Sequence, residues 1–136
     1  MPVMTADELN TRMKGTLAET LGIVVTEARP ERVVGEFSVR PDITTLGGTV
    51  HGGTLMAVAD TVGAMGAVLN LPEGAGTTTL ESKTNFFAGC KAGKIRAVCD
   101  RLHAGRRTSV WQTRLYDENG RMLTQTTQTQ MVLRPA

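Results

Sequence analysis

One long apolar stretch dominates the pattern of this chain. From Leu55 to Leu69 every position is apolar or glycine except Asp60 and Thr61. Leu55, Val58, Ala59, Val62, Gly66 and Leu69 recur at helical spacing, while Ala57, Ala64 and Ala67 keep the other faces slim. The pattern predicts a helix of about four turns within residues 51–70, buried on most sides. It is too short and too interrupted to span a membrane. Gly63 and Gly66 cost helix propensity, so their purpose is close packing against a sheet or another helix.

Elsewhere the periodicity changes. Thr5 to Glu8 has the T-x-x-E capping-box form, and Leu9, Met13, Leu17 and Leu21 follow at four-residue spacing. They predict one peripheral amphipathic helix within residues 1–21, ending near Gly22, whose stripe carries packing and no chemistry. Residues 23–28 and 32–40 read as strands. In the second, Val33, Gly35, Phe37 and Val39 alternate with Val34, Glu36, Ser38 and Arg40. Residues 41–50, rich in Thr and Gly, form a loop into the central helix, and residues 71–76 form another.

Four more strands are predicted over residues 77–87, 94–103, 108–117 and 121–133. The last two are joined by Asp117-Glu118-Asn119-Gly120, a strong hairpin signal. The final strand, LTQTTQTQMVL, presents polar atoms on both faces. Low complexity is one reading; the preferred one is a well-formed strand with a polar face in water or in a wet subunit interface. The order of elements predicts an α+β fold in which a curled antiparallel sheet wraps around one central helix.

Composition narrows the function. A chain of 136 residues, 40% apolar and 21% charged, suits a single domain over residues 1–136. The opening MPVMTADELN has no basic segment followed by an apolar run, so the expected location is cytoplasmic. Cys90 and Cys99 make no disulfide framework, and two histidines make no metal-ligand cluster. Cys99, in an alternating apolar run, reads as a small core residue. A net charge of +2 and the lack of a basic recognition helix argue against nucleic acid. Between Lys91 and Arg114, however, seven Lys or Arg face the single acid Asp100. That patch suits a small phosphate-bearing polyanion, although scattered solvated bases also explain it.

Asp60 carries the candidate chemistry. A carboxylate in an apolar helix needs partners or a proton, so it is either a structural acceptor or a catalytic acid facing a cleft. His51, Gly52 and Gly53 tilt the reading towards catalysis, because they stand where the helix begins. Backbone N–H groups exposed there stabilise negative charge on a ligand oxygen.

These residues resemble a known family. Val50-His51-Gly52-Gly53, with an acid nine residues after the histidine, is similar to the helix-start motif of the hotdog-fold thioesterases, in particular the phenylacetic-acid-pathway type. The resemblance extends to the strand order, the T-x-x-L-x-x-x-x-N-F run from Thr77 to Phe86, and Gly105 to Val110. It implies hydrolysis of an acyl- or aryl-coenzyme A thioester at a site shared by two subunits. Asp60 would attack the carbonyl or activate water, and the Gly52 N–H would hold the oxyanion. His51 would orient substrate or loop, or merely cap the helix. Thr45 stands where relatives often carry Gln or Asn, and Ala64 where some carry Ser or Thr.

The resemblance also gives the basic stretch a purpose. Arg106 and Arg107 would bind coenzyme A phosphates, with His103 a weaker candidate and Gly53 and Thr61 beside the substrate. No cofactor is implied, since coenzyme A belongs to the substrate. The implied partner is a second copy in a homodimer, extending to a homotetramer, without nucleic acid or membrane. Two other readings stay open: an acyl-thioester hydratase or dehydratase using His51 and Asp60, and a non-catalytic acyl-coenzyme A-binding oligomer.

Overall fold

The computed structural model describes residues 3–136. The N-terminal stripe does not make one helix. It makes α1 (Ala6–Arg12) and α2 (Leu17–Thr20), separated at Gly15, whose φ of 79° no right-handed helix contains. The capping box is present: Thr5 Oγ1 accepts from Glu8 N, and Glu8 Oε2 accepts from Thr5 N. Leu9, Met13 and Leu21 are buried, but the break leaves Leu17 exposed. The Asn10 amide bonds both the N–H and the carbonyl of Val25, tying α1 to the first strand.

The sheet comprises β1 (Val24–Arg29), β2 (Arg32–Ser38), β3 (Gly76–Phe86), β4 (Lys94–Ala104), β5 (Thr108–Tyr116) and β6 (Met122–Leu133). All neighbours are antiparallel, in the order β1-β2-β4-β5-β6-β3. The hairpin between β5 and β6 turns at Asp117–Gly120, where Asp117 Oδ1 accepts from the N–H groups of Asn119 and Arg121. The long helix α3 (Gly52–Val68) lies across one face and touches β2 through β6.

The expectation of a curled sheet wrapped around the helix is corrected by this topology. The sheet is open, with β1 and β3 as separate edges, and no ladder joins them. A helix on one face of an open sheet keeps an outer side. On α3 that side is a stripe of Gly53, Met56 and Asp60, all exposed, beside the half-buried Ala57, Thr61 and Ala64. The inner side packs as its glycines predict. A Cβ on Gly66 would lie 2.6 Å from the Trp111 ring, and one on Gly63 would collide with the Gln128 amide. At the C-terminus, Asn70 Nδ2 donates to the Gly66 and Pro30 carbonyls, closing the helix against the β1–β2 turn. No helix among the described residues is long and apolar enough to cross a membrane.

The polar last strand departs from expectation on one face only. β6 is regular, but Thr124, Thr126, Gln128 and Gln130 are fully buried on the face beneath α3, not in water. The outward Gln125, Thr127 and Thr129 are half-buried.

Candidate active site

The helix N-terminus is built by its own histidine. His51 has extended backbone angles (φ −61°, ψ 134°), and its Nδ1 accepts from Gly53 N at 2.8 Å. Accepting there places the proton of a neutral imidazole on Nε2. Thr54 N and Leu55 N are satisfied by the His51 carbonyl. The Gly52 N–H meets no acceptor among the described residues, so it is the donor the helix start leaves open. The ring of Phe86 packs over Gly52, where a Cβ would come within 3.2 Å of it. Ile43 fixes the approach: its carbonyl accepts from His51 N at 2.9 Å.

Asp60 lies two turns further on, and contrary to its apolar surroundings in sequence it is exposed. Its Oδ1 accepts from Thr79 Oγ1 at 2.7 Å and from Gln128 Nε2 at 3.1 Å. No described residue donates to Oδ2. Asp60 and Thr61 stand at the lip of a cavity of about 420 Å³ between α3 and the N-terminal helices. Leu9, Met13, Leu17, Ala64 and Val68 supply most of its apolar wall, with Arg12 at the side. The stripe of the first helix, read as packing alone, therefore lines the space beside the acid. Thr61 spends its hydroxyl on the Ala57 carbonyl at 2.7 Å.

Other predicted positions stand apart. Thr45 sits in the loop before α3, its Oγ1 3.2 Å from Thr49 Oγ1. Arg106 and Arg107 form the β4–β5 turn and share an open cavity of about 580 Å³ with Arg134, which the sequence did not single out. Arg134 Nη2 donates to the Arg106 carbonyl at 3.1 Å. The Arg107 carbonyl accepts from Val132 N, and Val132 pairs with Thr77, so the turn lies at the same sheet end as Thr79. His103 is exposed on β4 just before that turn. Burial pushes the Cys99 thiol up to about 12, which suits a core residue and not a nucleophile.

Thr79, Gln128 and Gln130 were missed. The sequence offered no contrast to find the two glutamines by, because the other face of their strand is polar as well. Gln130 Nε2 donates to Thr79 Oγ1 at 2.6 Å, and Gln130 Oε1 accepts from Thr77 Oγ1 at 3.0 Å.

Comparison with known proteins gives the family. Residues 47–124 match the family model of the thioesterase superfamily. The proofreading thioesterase EntH of Cronobacter sakazakii is 33% identical over 118 residues, 87% of this chain and 86% of that protein. A thioesterase crystal structure from Pseudomonas aeruginosa superposes with a TM-score of 0.92 at 26% identity, over 97% of this chain and 96% of that one. A Haemophilus influenzae thioesterase structure shares the fold with a TM-score of 0.93 at 24% identity, over 98% and 93% of the two chains. With an acid on the central helix, an open N–H at its start and these relatives, the chain belongs to the hotdog-fold thioesterase superfamily.

Proposed function

We propose that the protein hydrolyses an acyl- or aryl-coenzyme A thioester to the free acid and coenzyme A, at a site completed by a second copy of the chain. The observation that carries this reading is an exposed carboxylate with one open oxygen beside an apolar cavity, on a helix whose first N–H is also open. The acyl group would enter the cavity between α3 and the N-terminal helices. Phenylacetyl-like and medium aliphatic groups both suit walls made of Leu, Met, Ala and Val.

The second copy follows from helix geometry. Gly52 and Asp60 are eight residues apart, so at 1.5 Å rise per residue they are separated by about 12 Å along the axis. A reacting carbonyl needs its attacking group and its oxyanion donor each within about 3 Å, so one helix cannot supply both. A two-fold pair can bring Asp60 of one copy to Gly52 of the other. β3 supports the pairing: it is an eleven-residue edge strand with Leu80, Phe86 and Phe87 exposed along or beside it. A homodimer joined at this edge, and a tetramer of two such dimers, is the assembly proposed.

In that site Asp60 either attacks the thioester carbonyl, giving an acyl-aspartyl anhydride that water then hydrolyses to the free acid, or takes a proton from the water that attacks the carbonyl and returns it to the departing thiolate. The Gly52 N–H, at the positive end of α3, holds the oxyanion until the intermediate collapses and expels the coenzyme A thiolate. His51 keeps the Gly53 N–H occupied, and Thr45, in the loop before α3, would turn its hydroxyl to the bound thioester. Thr61 and Gly53 flank the bound thioester. Arg106 and Arg107, with His103 behind them, would meet the phosphates through charge-assisted bonds.

Thiol release from a panel of acyl- and aryl-coenzyme A substrates tests the reading. Asp60→Asn is expected to remain folded and oligomeric while kcat falls by roughly 10²- to 10⁴-fold. Full activity in the variant would sink the mechanism. Tight binding without thiol release by the wild type, across the whole panel, would sink the hydrolase assignment.

A further inference from the structure

Resting on the reading of Asp60 as the reacting acid, we propose that Thr79 and Gln128 are positioning residues. Braced from behind by Gln130, they aim the carboxylate so that Oδ2 alone is the reacting oxygen. Both hydrogen bonds to the carboxylate fall on Oδ1, from Thr79 Oγ1 at 2.7 Å and Gln128 Nε2 at 3.1 Å. Two donors from two strands fix the plane of a group that would otherwise turn freely about its last torsion on an exposed helix face.

The direction of the relay is set by donor chemistry. Gln130 Nε2 can only donate, so at 2.6 Å it occupies a lone pair of Thr79 Oγ1 and turns the single hydroxyl proton towards Asp60. The Gln130 amide is oriented by the acid itself: Asp60 Oδ1 can only accept, so Thr79 donates to it and accepts from Gln130 Nε2. Gln130 Oε1 lies 3.0 Å from Thr77 Oγ1, whose single proton also has the Met131 carbonyl at 3.0 Å. Acid, hydroxyl and amide orient one another, as in a cooperative polar network.

Two features of the backbone serve this arrangement. β3 carries a bulge between Thr79 and Glu81. On the far side of the bulge the residues facing the helix are Ser82 and Thr84; on the near side they are Thr77 and Thr79. Strict alternation from Thr84 would turn Thr79 outward, so the bulge is what puts its hydroxyl under Asp60. On α3, Gly63 lies directly against the Gln128 amide, where any Cβ would collide with it. The amide is fully buried and its Oε1 meets no donor among the described residues. Burying a half-satisfied amide is unfavourable for packing alone, and a methionine would fill the same space without that cost. Its Nε2 contact with Asp60 explains why glutamine stands there.

The test compares Thr79→Val, Thr79→Ser and Gln128→Met with wild type and Asp60→Asn in steady-state thiol release, using the best substrate of the panel. Thr79→Val keeps the side-chain shape and removes the donor; kcat is expected to fall by about tenfold or more with KM nearly unchanged, and Gln128→Met to behave alike. Thr79→Ser restores the donor and is expected to bring kcat back to within about threefold of wild type. Wild-type kcat in both Thr79→Val and Gln128→Met, alongside an inactive Asp60→Asn, would overturn the positioning role and leave the acid in place. An active Asp60→Asn would instead remove the reading on which the proposal rests. A loss in Thr79→Val that Thr79→Ser fails to restore, accompanied by a lowered Tm in both, would mark the relay as purely structural. If Gln128→Met does not fold, the Thr79 pair alone decides.

Discussion

The face of the sheet beneath α3 has two unlike halves. On β2 and β4 it presents Val33, Phe37, Ile95, Ala97 and Cys99, all apolar and buried. On β6 and β3 it presents Thr126, Gln128, Gln130, Thr79 and Thr84, and three of these are as deeply buried as the apolar set. The rows run continuously across the strands: Cys99 opposes Thr113, which opposes Thr126, which opposes Thr84. One helix therefore rests on oil at one end of a row and on hydroxyls and amides at the other. Apolar burial stabilises without direction, whereas buried polar groups gain from the bonds they make, and those bonds have direction. The first half holds the helix down. The second tells one of its side chains where to point.

The comparison breaks most visibly by attacking the apolar half. Phe37→Ala should destabilise by about 3–5 kcal/mol, because a fully buried ring leaves a cavity that neighbouring strands cannot close. Urea unfolding measures the loss, and the kcat of the protein that remains folded is expected to stay at the wild-type level. An equal fall in kcat per folded molecule would mean that the two halves are not separable.

The two glycines of α3 allow a finer contrast. Gly66 meets Trp111 and Gly63 meets Gln128, one helical turn apart on the same side. Replacing either by alanine overpacks the interface and should cost roughly 1–3 kcal/mol. Only Gly63→Ala displaces the amide that bonds Asp60, so only it should lower kcat, by about tenfold. Melting curves of the two variants beside their kinetics give the answer, and matched kinetics would deny the polar half its special role.

What the sequence allowed to be read follows the same division. Features written in short range were legible. The Thr5–Glu8 box caps α1, the Asp117–Gly120 turn joins β5 to β6, and Gly63 and Gly66 mark close packing. The open N–H at Gly52 was anticipated from the helix start and its histidine. The failures were of neighbours, not of elements. The helix around Asp60 reads as buried on most sides because it is apolar, with a cleft as the alternative for the acid, but exposure depends on what lies over the helix, and the open sheet covers one side only. The stripe through Leu17 continues in sequence past Gly15, where the backbone turns away. The buried face of β6 carried no signal of burial, because Thr and Gln occupy both faces and a two-residue period has nothing to contrast.

The smallest effect is expected from the hydroxyl pair at the end of the row, and it tests whether polar burial is neutral when matched. Thr84 Oγ1 and Thr126 Oγ1 lie 2.7 Å apart across β3 and β6, Thr126 fully buried and Thr84 half-buried. Thr126→Val alone keeps the shape but strands the Thr84 hydroxyl, at a cost of about 1–2 kcal/mol. Adding Thr84→Val removes both partners of the bond, and the double variant should return to within about 0.5 kcal/mol of wild type, since two valines of matching shape leave nothing unsatisfied. Neither hydroxyl bonds Asp60, so kcat should not move in any of the three variants. The double-mutant cycle in urea separates the outcomes. A strongly positive coupling with an unchanged rate identifies a polar surface that is replaceable wherever it does not touch the acid. A double variant as unstable as the sum of the singles would show instead that hydroxyls stabilise this half in their own right, and that Gln128 and Gln130 need no catalytic explanation for being there.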